Sequence, residues 1–290
     1  MKTSLDCVPC FLRQALEVAR FVTDEAAVHE RVVRDTLAEV ARLDFDRPPP
    51  VVGQQIHRRL REVTGREDPY ADTKERFNRL VLGMLPELRR QVRAADRPIR
   101  EAVRLAIAGN VIDLGVDGGV TEEAARAELE NASGRPLEGD VERFEREVCR
   151  AERILFLADN AGEIVLDRLL IEQLPPDRVT VAVRGRPVIN DATLDDARAA
   201  GLHEIALVVD NGSDAPGTVL EECSPAFRRC FDRADLVIAK GQGNYETLND
   251  QRRGIFFLLR VKCPVIAART AAAVGTHLIA RTDWKRAGRG

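Results

Sequence analysis

Four loops concentrate the side chains of this chain that are suited to chemistry, and each follows a short run rich in Ile, Val and Leu. Asp159-Asn160-Ala161-Gly162-Glu163 follows Ile154 to Ala158. Arg184-Gly185-Arg186-Pro187, leading to Asn190-Asp191-Ala192-Thr193, follows Val179 to Val183. Asp210-Asn211-Gly212-Ser213-Asp214 follows Ile205 to Val209, and Lys240-Gly241-Gln242-Gly243-Asn244-Tyr245 follows Leu236 to Ala239. Each loop carries hard oxygen donors or a cation. Asp, Asn and Gly also favour turns and helix N-caps for local reasons, so one such loop says little by itself. Four in succession say more, and Asp159 is followed by a carboxamide while Asp191 is preceded by one. Two such pairs on neighbouring strand ends are placed to face one ion.

Carboxylate and carboxamide oxygens without His or Cys suit Mg²⁺ or Mn²⁺, which keep several waters and usually act on phosphate. Co²⁺ and Ni²⁺ complete the range of divalent ions to consider. Matching phosphate binders are present. Gly162 lets the chain enter a helix whose free N–H groups can face an anion, and Gly241 and Gly243 allow backbone amides to come close. Lys240 ends its strand with a point charge, and it is one of only five lysines among 44 basic residues. A lysine there also has an ordinary reading, as a solvated head on an apolar stem.

Competing motifs fit less well. Gly241-Gln242-Gly243-Asn244-Tyr245-Glu246 has two glycines of a dinucleotide fingerprint, then Glu in place of the third, and it follows a late strand. No P-loop is present, and none of His29, His57, His203 and His277 has zinc-protease spacing. Cys7-Val8-Pro9-Cys10 has two readings: an inert pair, or part of a thiol or metal cluster completed by Cys223, Cys230 or Cys263.

Elements must position these loops. Apolar residues recur at helical spacing over Phe11 to Phe21, Ala26 to Leu43, Val51 to Val63, Phe77 to Val92 and Ile99 to Ile107. From about Arg153 short apolar runs alternate with helix-length stretches, adding Ile255 to Val261 and His277 to Ala280 to the strands above. That alternation predicts a mostly parallel sheet with helices on both faces. The expected organisation is a helical N-terminal region over 1–150, then an α/β metal- and phosphate-binding domain over 151–290. The expected fold class is α/β, a three-layer α/β/α Rossmann-like sheet.

Composition narrows the function classes. The 290 residues are 44% hydrophobic and 31% charged, with a net charge of −3, so a packed core is affordable and no basic field draws in nucleic acid. Aromatic residues make up 4%, too few for base-stacking platforms. No apolar run approaches the roughly 20 residues of a membrane span, and Asp6, Pro9 and Arg13 interrupt any signal-like start. The expectation is a cytoplasmic protein with a small phosphorylated partner, and neither nucleic acid nor membrane.

Read together, the loops resemble a known family. Asp159-Asn160-Ala161-Gly162-Glu163, Pro187-Val188-Ile189-Asn190-Asp191-Ala192-Thr193, Asn211-Gly212-Ser213-Asp214-Ala215-Pro216-Gly217 and Ala239 to Thr247 are similar to blocks of the damage-control phosphatases, metal-dependent enzymes first grouped as a domain of unknown function. The similarity extends to Cys7-Val8-Pro9-Cys10, Asp68-Pro69-Tyr70 with Lys74 and Asn78, and Ala108-Gly109-Asn110-Val111-Ile112-Asp113, and the CxxC points to the prokaryotic branch. The resemblance implies a divalent ion on Asp159, Asn160 and Asp191, and hydrolysis of small phosphomonoesters such as sugar phosphates or damaged phosphometabolites. It places the phosphate-binding lysine on Lys240 with Asn244 beside it, and puts Asp214, Asn110 and Asp113 in the pocket. Arg184 stands where relatives often carry Lys, and Ala226 where an acid is expected. The nucleophile is a metal-bound water or Asp159 itself.

Two rivals remain. A methyltransferase on a Rossmann-like sheet requires a glycine-rich first strand end and an acid after the second, which Asp159-Asn160 and Arg184 do not supply. A non-catalytic phosphometabolite-binding protein would use the same site without chemistry.

Overall fold

The computed structural model describes residues 1–109 and 122–283. Its elements run α1 (Cys7–Val22), α2 (Ala26–Val40), α3 (Pro49–Thr64), α4 (Ala71–Ala94), α5 (Pro98–Ala108), α6 (Glu122–Glu130), β1 (Leu137–Gly139) and α7 (Val141–Arg150). They continue β2 (Ile154–Leu157), α8 (Glu163–Ile171), β3 (Val179–Val183), α9 (Leu194–Ala199), β4 (Leu207–Asp210), α10 (Pro225–Arg233), β5 (Leu236–Lys240), α11 (Gly241–Leu248), β6 (Ile255–Arg260), α12 (Pro264–Thr270) and β7 (His277–Arg281). Boundaries follow local chemistry. Prolines occupy the first two positions of α3, where missing N–H groups cost nothing, and left-handed Gly65 (φ 68°) ends it. Thr193 and Asp196 close a reciprocal capping box on α9.

Among the described residues seven strands form one sheet in the order β1-β7-β6-β5-β2-β3-β4, parallel throughout except where β6 meets β7. Side chains alternate between its faces. Ile154, Phe156, Val181, Ile238 and Leu258 pack against residues of α4, α5, α7 and α8. Leu155, Leu157, Ala182, Val237, Ala239 and Phe257 pack against α10, α11 and α12. This is the period of two that a doubly covered sheet requires, and it gives the three-layer α/β/α class. Truncating a fully buried side chain such as Phe156 to Ala would cost about 3–5 kcal/mol.

The first half of the chain divides its loyalties. Helices α1 to α3 share a core of Phe11, Ala15, Val18, Val32, Val52, Ile56 and Leu60. Helices α4 and α5 instead lie on α8 in the sheet's own core, through Phe77, Val81, Leu105 and Ile107. Strand β1 also lies before residue 150, yet pairs with β7 from Leu137↔His277 to Gly139↔Ile279. The expected strand at Ile205 to Val209 begins two residues later, because 202–204 form a 3₁₀ turn. No helix among the described residues is long and apolar enough to cross a membrane.

Strand β2 has β3 on one side and β5 on the other, so the winding reverses there, and open parallel sheets bind ligands beyond the carboxyl ends at such a point.

Candidate active site

Beyond the end of β2 the chain meets the segment returning from β3 in a single antiparallel bridge, Asn160↔Asp191. Ala161 N donates to Asn190 O at 2.8 Å, and Ala192 N donates to Asp159 O at 2.7 Å. This clasp brings Asp159, Asn160 and Asp191 together. Ile189, just before it, is held at φ 46°, a conformation unfavourable for a β-branched residue that persists only where its surroundings impose it.

All three side chains are nearly buried, at 8%, 6% and 4% exposure. Asn160 Nδ2 donates to Asp159 Oδ2 and Glu163 Oε2, each at 3.0 Å. Arg184 Nε donates to Asp191 Oδ2 at 2.6 Å, and its Nη2 lies 3.8 Å from Asp159 Oδ1. That buried Nη2 makes no hydrogen bond among the described residues. Burial first, then the charges of Glu163 and Asp191, push the Asp159 carboxyl well above the usual range. Burial also raises Asp191, with Arg184 pulling the other way.

The surrounding charges explain that discomfort. Asp159, Asp191, Glu163 and Asp167 crowd together, with Arg184 against Asp191, Lys240 between Glu163 and Asp167, and the charge of Lys262 reaching Asp159. Two carboxylates and an amide oxygen are the donors a hard divalent cation prefers. No three His, Cys, Asp or Glu among the described residues form a ready-made metal cage, so a set of this kind depends on the amide and on water.

Other expected site residues lie elsewhere. Lys240 is fully buried on the α8 side of the sheet, donating to Ala106 O (2.9 Å), Glu163 (2.6 Å) and Asp167 (2.5 Å). Burial works against its charge, but the two acids more than offset that and hold it protonated. Its three donors are used, so the structure contradicts a direct grip on phosphate. Asp214 points to α3, bound by Gln54, Arg58 and Arg61, and stands outside the cavity as a clamp on that helix. Asn244 is equally committed, donating to Ala158 O and Lys240 O and accepting from Thr218. Gly162 N donates to Asn78 Oδ1 at 2.6 Å, and Ala161 N and Ile164 N are also paired, so these three N–H groups at the α8 N-terminus are not open to an anion. Asn78 in turn holds Asp196, which pairs with Lys74 at 2.9 Å. Asn110 and Asp113 lie outside the described residues.

Gly241 does stand at the centre. At φ 76° it sits against the Asp159 carboxylate, and a Cβ there would fall 1.8 Å from Oδ2. Around it opens a cavity of about 590 Å³ lined by Asp159, Asn160 and Asp191, and by Gln242, Gly243, Glu246 and Lys262. The opposite wall comes from α1 and α3, with Phe11, Gln14, Pro49, Pro50 and Gly53, and Cys7, Cys10 and Cys263 share the rim. All six cysteines are free thiols. Lys262 is the only Lys or Arg among the described lining residues, and its charge reaches Asp159. Sequence reasoning passed over Lys262 and Glu246. A lysine just past a strand end was a usable signal, since Lys262 follows β6 as the expected loops follow theirs. A larger cavity, about 670 Å³, opens at the opposite end of the strands, around Ile154, Val179 and Leu207, where parallel sheets do not place their chemistry.

Comparison with known proteins identifies the family. The model of the damage-control phosphatase ARMT1-like domain matches residues 3–278. A damage-control phosphatase of Archaeoglobus fulgidus is 37% identical over 95% of this chain and 97% of its own length. One from Pyrococcus horikoshii is 33% identical over 98% and 100%. The crystal structure of a DUF89 family protein from P. horikoshii superposes with a TM-score of 0.88 at 31% identity, covering 98% of this chain and all of that one. Sequence and fold therefore agree along almost the whole length, and the chain belongs to the damage-control phosphatase ARMT1-like family.

Proposed function

We propose that this phosphatase-family chain hydrolyses small phosphomonoesters with the help of a divalent cation, Mg²⁺ or Mn²⁺ by the hardness of its donors. The clasp that sets Asp159, Asn160 and Asp191 side by side on the cavity carries the reading. Those three residues would hold the ion, which when bound supplies Lewis-acid stabilisation of the phosphoryl oxygens.

The chain's own groups do the rest. Helix α11 opens at the cavity with no side-chain cap, so the N–H groups of Gln242 and Gly243 are free of i−4 partners and aimed at an anion. Lys262 adds a positive charge from the neighbouring strand end. Arg184, bonded to Asp191 and 3.8 Å from Asp159, would hold those two carboxylates in place from behind the cavity. Lys240 acts at one remove, neutralising Glu163, which fixes the Asn160 amide. Positioning and electrostatics of this kind dominate phosphoryl transfer.

The test is phosphate release from a panel of sugar phosphates and other phosphomonoesters, with each divalent ion and with chelator. Asp191→Ala is expected to abolish turnover, and Lys262→Ala to raise KM about 10-fold or more with an unchanged melting temperature. Turnover that survives chelator, or full activity in Asp191→Ala, refutes the ion site. Saturable binding of phosphate esters without release refutes catalysis.

A further inference from the structure

The cavity has an acidic wall that the ion site does not use. Gln242 and Glu246, four residues apart on α11, face the cavity together. Gln242 Nε2 donates to Glu246 Oε1 at 2.8 Å, and Glu246 is 9% exposed. No cation lies within ion-pair distance of this carboxyl among the described residues. The charges facing it are Lys262 beyond β6, Arg269 of α12 and the Met1 ammonium, with the Cys7 thiol on α1. Burial outweighs the cations and pushes the carboxyl up to about 7, so it carries a proton over much of the neutral range.

Its position relative to Asp159 matters more. Gly241 touches the Asp159 carboxylate at the start of α11. Glu246 lines the same cavity as Asp159 and Asp191. The ester oxygen of a phosphoryl group held at those two residues would lie in the space the three share.

We infer that Glu246 is the general acid that protonates the departing alcohol. The inference rests on the phosphatase reading above. As the bond between phosphorus and the ester oxygen breaks, its electron pair stays with that oxygen, which takes the Glu246 proton and leaves as the alcohol. The attacking oxygen forms the new bond to phosphorus, an attacking water giving up its proton to solvent as it does so, and the Glu246 carboxylate recovers a proton from solvent. Gln242 is a positioning residue, holding one carboxyl oxygen so that the other addresses the substrate.

A leaving-group comparison tests this. A glycerol phosphate releases an alkoxide that needs a proton, whereas p-nitrophenyl phosphate releases a phenolate that does not. Glu246→Gln is expected to lose about 10²–10⁴ in kcat on the alkyl ester and less than about fivefold on the aryl ester. In the wild type, kcat for the alkyl ester is expected to fall as pH rises through about 7, where the acid deprotonates. That alkaline limb should vanish in Glu246→Gln. Glu246→Asp, which keeps the acid but shortens its reach, should fall between the two and retain the limb, and it serves should the Gln variant fail to fold. Equal losses on both esters, or none on either, overturn the assignment. A wild type inert toward both esters with every divalent ion overturns the phosphatase reading itself, and this inference with it.

Discussion

Substituting Gly241 by Ala probes the site through a single methyl group. The residue sits at φ 76°, where an L side chain costs about 1–2 kcal/mol. The new Cβ would stand 1.8 Å from Asp159 Oδ2 and 2.3 Å from its Cγ, while Cβ contacts below 3.0 Å are essentially never seen. The carboxylate must therefore retreat by about 1.2 Å, the difference between 3.0 and 1.8 Å. A misplacement of about 1 Å in a catalytic constellation costs on the order of 100-fold. Gly65→Ala is the matched control, because Gly65 has nearly the same backbone (φ 68°) with nothing within 4 Å. Both variants should lose about 1–2 kcal/mol in urea denaturation. Only Gly241→Ala should lose about 100-fold in kcat/KM and require more Mg²⁺ or Mn²⁺ for half-maximal phosphate release. Metal dependence and activity unchanged in Gly241→Ala, beside a stability loss matching the control, would refute the placement of Asp159 at the reacting centre.

Two further substitutions separate structural charges from catalytic ones. Lys240→Met removes the ammonium paired with buried Glu163 and Asp167, and breaking such a pair costs about 3–5 kcal/mol. The urea midpoint should fall sharply and recover in part when Asp167→Asn is added. A stable Lys240→Met protein with a raised KM would show instead that this ammonium reaches substrate. Asp214→Asn should cut the tie to α3 and leave kcat within about threefold of wild type. Burial alone would raise the Asp214 carboxyl, but Arg58, Gln54 and Arg61 overcome it and hold it at about 2. Because this folded value lies below the unfolded value of about 4, the stabilisation is complete above pH 4 and drains away as pH falls through 2. Denaturation measured from pH 5 downward should show a shallower acid loss in Asp214→Asn, and an undiminished slope would exclude the clamp.

The sheet and the meeting of Asp159, Asn160 and Asp191 were legible because both follow from local rules. Apolar runs of four to six residues separated by helix-length stretches define parallel strands, and Asx residues at successive strand ends converge wherever the sheet reverses its winding. Strand β1 escaped notice because three residues, Leu137, Glu138 and Gly139, carry no periodicity. Lys240 was misplaced for a different reason: a strand end fixes position but not direction. Period two assigns it to the face of Ile238, beneath α8, and the acids Glu163 and Asp167, four apart in an otherwise apolar stretch, called for a buried cation. Asp214 was expected in the pocket because its partners, Gln54, Arg58 and Arg61, are more than 150 residues away. No spacing rule links them. Glu246 was visible within its motif, but its burial and its outlook on the cavity depend on α1 and α12 folding over α11.

Helices α1 and α3 furnish the far wall of the cavity from a core of their own, while every proposed ion ligand issues from the sheet more than 90 residues later. Were the proposed reaction to run here, the organic portion of a substrate and its phosphorus would be greeted by separate modules. Exchanging Phe11, Pro49 or Pro50 would then re-sculpt the guest chamber from a wall that supplies none of Asp159, Asn160 and Asp191.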